Sequence, residues 1–293
     1  DIKTTRSVLN QLIDFVEEDV SGSSSRKKYQ VFVTSSGDNA VTSSLFQTVF
    51  DQNFSLQTAN ELFDLTYGVF SGSSTVSVTN PTVDTNGKLL FPSQSLMMRE
   101  KINIYRQFAQ NLLGNADARF RAPFSSTNSS DDIDESLFLC FKRLFVRDGI
   151  KRETFAMRMF ASCSDAPFLP GGSTTIDNTI FGQSAIHPSS GSRIFTDVGA
   201  ASSIERSQFG GDVGNVVLAS DTTQTVGLIF YQKGIVLLDL ARAVSGSQRM
   251  QGPLSSVGTL SHTDMTGSFI PQFVNSASMD EILTHISTER FGT

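Results

Sequence analysis

Tryptophan is absent from the chain, and tyrosine occurs four times against 24 phenylalanines. Glycan and ligand platforms favour aromatics that carry a polar edge. Their scarcity counts against a Trp-lined carbohydrate cleft and suits a β interior packed with Phe. Charge is also sparse: 18% of residues are Asp, Glu, Lys or Arg, and the net charge is −6. A nucleic-acid binder neutralises phosphates with a basic face, so nucleic acid is not an expected partner. The one basic cluster, Arg26, Lys27 and Lys28, reads as a solvated strand entrance.

Cysteine is nearly missing. Cys140 sits in an apolar stretch and reads as a small buried hydrophobe. Cys163 follows at a spacing that matches no zinc motif, and a disulfide between the two stays open. The three histidines, His187, His262 and His285, are scattered. None has a second ligand two or four residues away, so no sequence-local metal site is expected. No apolar run approaches the roughly 18 residues of a membrane span, and nothing resembles a signal peptide. No membrane partner is expected. The first residue is Asp1 rather than Met, which suggests a trimmed or processed start.

Motifs for chemistry are equally thin. The run Asp131, Asp132, Asp134 and Glu135 has Ser136 and Lys142 where a calcium loop starting at Asp131 needs Gly and Glu; it reads as a solvated loop. The stretch from Gly210 to Asn215 is glycine-rich but fits neither phosphate-binding pattern, and reads as a turn before Val216. No nucleophile elbow exists to activate a serine. The expectation is a protein that is not an enzyme and needs no cofactor.

Serine and threonine are abundant, at 41 and 26 residues. They suit turns, exposed strand faces and polar subunit contacts. A polar, sparsely charged surface fits permanent burial against neighbours.

Three parts are expected along the chain. Residues 1–25 form an N-terminal arm. In it Val8, Leu9, Leu12, Ile13 and Val16 recur at helical spacing, and a Ser/Gly linker follows. These five residues are the candidate partner-binding set; the alternative is that the helix folds back on its own domain. Residues 26–125 form a mixed α/β domain. It has a strand over 29–34, a helix from the Thr58/Glu61 capping box to about Tyr67, a strand over 74–79, and a strong amphipathic helix over about 94–113. Gly114 is placed to end that helix. Residues 126–293 form a β-rich domain of short strands with sandwich- or barrel-like spacing. It closes with a helix from Ser278 to about Glu289. The fold class is therefore α+β: a β-rich body, a few amphipathic helices and a helical arm. Within it, residues 227–240 read as two apolar strands around a turn at Tyr231–Gly234, buried on both faces.

Three stretches carry a family resemblance. They are 101–114 (KINIYRQFAQNLLG), 145–155 (FVRDGIKRETF), and 227–240 with the later Gly267–Pro271. Together with the Ser/Thr/Phe-rich texture they resemble virion structural proteins of T4-like contractile-tailed phages, particularly marine cyanophages. The resemblance implies a tail or baseplate component that joins copies of itself and other virion subunits. It carries over no site residues. The expected function is a baseplate-wedge subunit of the virion. The alternatives are a neck, tail-terminator or capsid-associated protein, and a receptor- or glycan-binding tail-fibre module.

Overall fold

The computed structural model describes residues 26–34, 40–50, 60–71, 94–143, 149–160 and 192–244 of the 293-residue chain, with short pieces between and after them and four residues near the C-terminus. In chain order the elements are β1 (Arg26–Thr34), β2 (Ala40–Phe50), β3 (Glu61–Val69), β4 (Thr82–Val83), β5 (Leu89–Leu90) and helix α1 (Gln94–Leu113). Next come β6 (Phe120–Arg121), β7 (Asp132–Ile133), β8 (Glu135–Phe141), β9 (Ala156–Phe160), β10 (Ser192–Thr196), β11 (Glu205–Ser207) and β12 (Gly211–Leu218). Last are β13 (Asp221–Phe230), β14 (Ile235–Asp239), the short helix α2 (Leu240–Ala243), β15 (Ser247–Arg249) and β16 (Thr266–Ser268).

Ten strands build one antiparallel sheet in the order β1-β2-β3-β8-β14-β13-β12-β10-β9, with β11 added on β12. The sheet curls into a half-barrel, so the body is mostly β with few helices. Strands from before helix α1 and from after it share this sheet, because β3 pairs with β8 from Phe63↔Phe141 to Val69↔Glu135.

Alternation along the central strands sends two rows of side chains to opposite faces. Leu65, Leu139, Val236 and Ile229 stand side by side on β3, β8, β14 and β13. They join one core with Phe195, Met157 and Met159. One residue along, Phe138, Leu237 and Leu228 form the opposite row. They join a second core with Tyr105, Ala109 and Leu112 of α1 and with Phe120. The 227–240 hairpin is thus covered on both sides, with Phe230 and Leu237 fully buried. Gly234 turns it at φ 65°, a conformation that suits glycine.

Helix α1 forms where its apolar period predicts, and it ends at Gly114, φ 80°, whose N–H returns to Gln110 O. Its Phe108 ring stacks on Phe138 at 4.0 Å. Gly68 lets the helix approach β3, since a Cβ there would stand 2.8 Å from the Tyr105 backbone nitrogen. Near the C-terminus Met279, Ile282 and Leu283 are helical, and all three, with Ile286, are buried in the first core. Their spacing of three, four and seven is that of one helical face.

Three expectations need correction. The helix expected from the Thr58/Glu61 capping box is strand β3. Its Phe63, Leu65, Tyr67 and Val69 alternate into the first core, and pairing on both sides outweighs a local capping signal. The stretch 211–215 is not a turn but already part of β12. Glycine serves it at Gly214, where a Cβ would meet the Tyr231 ring. The acidic run at 131–135 is not a solvated loop: Asp132 is bonded to Arg119 and Arg121, Asp131 to Ser126 and Arg242, and Glu135 is buried. The strand expected over 74–79 lies outside the described residues. Among the described residues no helix is long and apolar enough to cross a membrane.

Candidate functional site

The five residues of the expected docking face, Val8, Leu9, Leu12, Ile13 and Val16, lie outside the described residues, as do His187, His262, His285 and Cys163. Among the described residues, polar side chains gather in clusters at each end of the central strands.

The first surrounds the β13–β14 turn. Asp197, fully buried, accepts the Glu153 N–H at 2.7 Å, the Phe155 N–H at 3.0 Å and the Tyr231 hydroxyl at 3.0 Å. Burial holds its carboxyl above the ordinary value, against those three bonds. Burial, followed by the charge of Asp197, raises the Tyr231 phenol far beyond its usual range. Nearby, Asp212 pairs with Arg152 and with Arg206. A Gln232 side-chain bond and these two arginines hold its carboxyl below the usual range. The Ile150 N–H donates to Tyr231 O, and Ser207 donates its hydroxyl to Leu112 O at the end of α1. Four separate segments, 149–155, 197–212, the 231–234 turn and the end of α1, are tied together here.

The second cluster lies where β14 ends. Asp239 caps α2 by accepting the Ala241 N–H at 2.9 Å and pairs with Arg242 Nε at 3.0 Å. Burial pushes its carboxyl up to about 7, with Glu135 adding to the rise and Arg242 opposing it. Arg242 also donates to Ala122 O, Thr225 O and Ser130 O. It thereby fastens the 122–131 segment to β13. The Tyr67 hydroxyl and Ser136 Oγ are buried at this end without a hydrogen-bond partner.

Beside it the acidic run is fully engaged. Ribbon β6–β7 pairs Phe120 with Ile133 and Arg121 with Asp132. Asp132 accepts from Arg119 and Arg121 at 2.6 Å each. Burial works against its charge, but the two guanidinium bonds together outweigh it and keep the carboxyl below the usual range. Asp134 pairs with Arg119 at 3.1 Å, Asp131 accepts from Ser126, and Glu135 is buried. Tyr105 rivets the ribbon to α1: its hydroxyl donates to Ile133 O at 2.8 Å and accepts the Phe120 N–H at 2.9 Å. The signal was present in the sequence as Arg-Phe-Arg at 119–121 and Asp-Ile-Asp at 132–134. Each presents two like charges at strand spacing.

These clusters act on the chain's own segments. Asp197 and Asp239 are shut away from solvent, and their oxygens are occupied by backbone N–H groups, a phenol and a guanidinium. Cys140 is a free, half-buried thiol pushed up to about 12 by burial and then by Asp64, with Lys142 opposing. A thiol held that high carries little nucleophilic thiolate near neutrality. Among the described residues no group of three His, Cys, Asp or Glu side chains converges in a way that could hold a metal. No protein-family model, no curated protein and no solved structure matches the chain.

Proposed function

We propose that this chain is a structural subunit of a contractile phage tail, placed in the baseplate wedge, where it joins copies of itself and other virion subunits. It works there without catalysis, cofactor, nucleic acid or membrane. The body is an α+β scaffold. Residues 5–20, with Val8, Leu9, Leu12, Ile13 and Val16 on one helical face, reach a neighbouring subunit across the Ser/Gly linker. Rearrangements pass from receptor-binding fibres to the sheath through interfaces with alternative packings.

The observation that carries the reading is where the resemblance-bearing segments meet. Helix α1, from the first stretch, packs through Tyr105 and Leu112 into the core that holds Leu228, Phe230 and Leu237 of the third. The second stretch closes on the same hairpin through Ile150 and Tyr231. Segments far apart in the chain thus form one packed unit, the kind of rigid body that a structural subunit needs.

The test is to express tagged full-length and Δ1–24 chains during infection and to quantify both in purified particles by mass spectrometry. The full chain should copurify with tails at a fixed stoichiometry. The truncated chain should melt at nearly the same temperature yet stay out of particles. Absence of the full chain from purified particles would overturn the assignment. Unfolding of the truncated chain would show that the arm belongs to its own core.

A further inference from the structure

Strand β1 ends the strand order, and among the described residues it pairs with β2 alone, along all nine of its residues. A free edge of that length is a template for another chain unless it is guarded by charge, proline or a bulge. The opposite edge, β9, has five residues with exposed Arg158 at its centre. β1 keeps its guards at one end: Arg26, Lys27 and Lys28 lead in, and the register shifts between Tyr29 and Gln30. Beyond the shift the five residues Gln30–Thr34 are uncharged, free of Pro and Gly, and regularly paired with β2 from Gln30↔Ser44 to Thr34↔Ala40.

We propose that this edge is the surface through which two copies of the chain join, β1 against β1 in antiparallel register centred on Phe32. The inference rests on the assembly reading and names the surface and the partner. The segment is self-complementary about its midpoint: Phe32 falls opposite Phe32 of the second copy, Val31 opposite Val33, and Gln30 opposite Thr34. Aromatic pairs and β-branched pairs are favourable cross-strand neighbours. The same register carries the two basic lead-ins to opposite ends. Lys28 of one copy stands eight residues, about 27 Å, from Lys28 of the other along the strands. Parallel pairing in register would instead set the basic residues side by side, where like charges destabilise. The self-complementary pattern thus favours a second copy over an unrelated extended segment, and two-fold symmetry closes the contact.

Cysteine cross-linking of the full chain, with Cys140 and Cys163 changed to Ser, tests the register. Under mild oxidation Phe32→Cys should give a covalent dimer. Gln30→Cys and Thr34→Cys should each give about tenfold less, because their partners lie beyond disulfide reach. The double variant Gln30→Cys/Thr34→Cys should recover the dimer without touching Phe32, so poor folding of the Phe32 variant would not decide the outcome. Equal cross-linking at all positions, or none in both the Phe32 and the double variant, would overturn the proposal. A dimer seen by light scattering but uncross-linked by either would overturn this edge while leaving the assembly reading intact. Loss of cross-linking competition when residues 1–24 are deleted, seen as a rise from none to full yield, would show that the chain's own arm covers the edge, and would overturn it too.

Discussion

At Asp239 one carboxylate is asked to cap α2, hold Arg242 and remain buried beside Glu135. Burial wins, and its folded value stands at about 7 against an ordinary value near 4. The native state therefore holds this proton across the window between the two values while the unfolded chain has released it. Stability from this group is fully present below about pH 4 and is lost as pH rises through about 7. The depressed carboxyls of Asp132, Asp212 and Asp221 act oppositely, and their contribution is lost as pH falls below about 4. Urea denaturation between pH 5 and 8 should show the wild-type midpoint falling with pH. Asp239→Asn, which keeps an oxygen for the Ala241 N–H, should flatten that slope. An unchanged slope in the variant would mean that Asp239 is ionised throughout the range and that the fall belongs to other groups such as Asp197, whose carboxyl burial also raises.

Among the elements, the 227–240 hairpin decides most. Its strands serve two cores at once, with Ile229, Val236 and Leu238 in one and Leu228, Phe230 and Leu237 in the other. The Phe230 ring is fully buried and meets Phe120 at 6.2 Å and Phe124 at 6.5 Å. Phe230→Ala should therefore cost about 3–5 kcal/mol in chemical denaturation. A loss under about 1 kcal/mol would mean that the site collapses around the missing ring. This hairpin was legible from sequence because its signal is local: a near-continuous apolar run broken by a turn with glycine in place. Helix α1 was legible for the same reason. Strand β3 was not, because Thr58 and Glu61 make a local helix start, whereas the reason for a strand lies far away in β2 and β8. The acidic run was misread in the same way. Its carboxylates meet Arg119, Arg121 and Arg242, and a window around residue 133 contains none of them. Lys101 is buried within α1 as well, at the helical spacing of four and eight that puts it on one face with Tyr105 and Ala109.

On the scale of the whole molecule, a curled sheet, one long edge of which is unpaired among the described residues, has its central strands covered on both faces and its two ends laced by buried polar groups. Such a body changes shape at its edges more readily than by shearing its centre, since packed interiors resist continuous deformation. That is the mechanical character the baseplate reading needs. The measurement that bears on it most directly is a cryo-EM map of the intact particle at a resolution that traces side chains. The account predicts this chain in baseplate density, with Phe230 and Leu237 away from solvent and residues 5–20 seated on a neighbouring subunit. Finding the chain in the capsid or neck, or in no part of the particle, would contradict it.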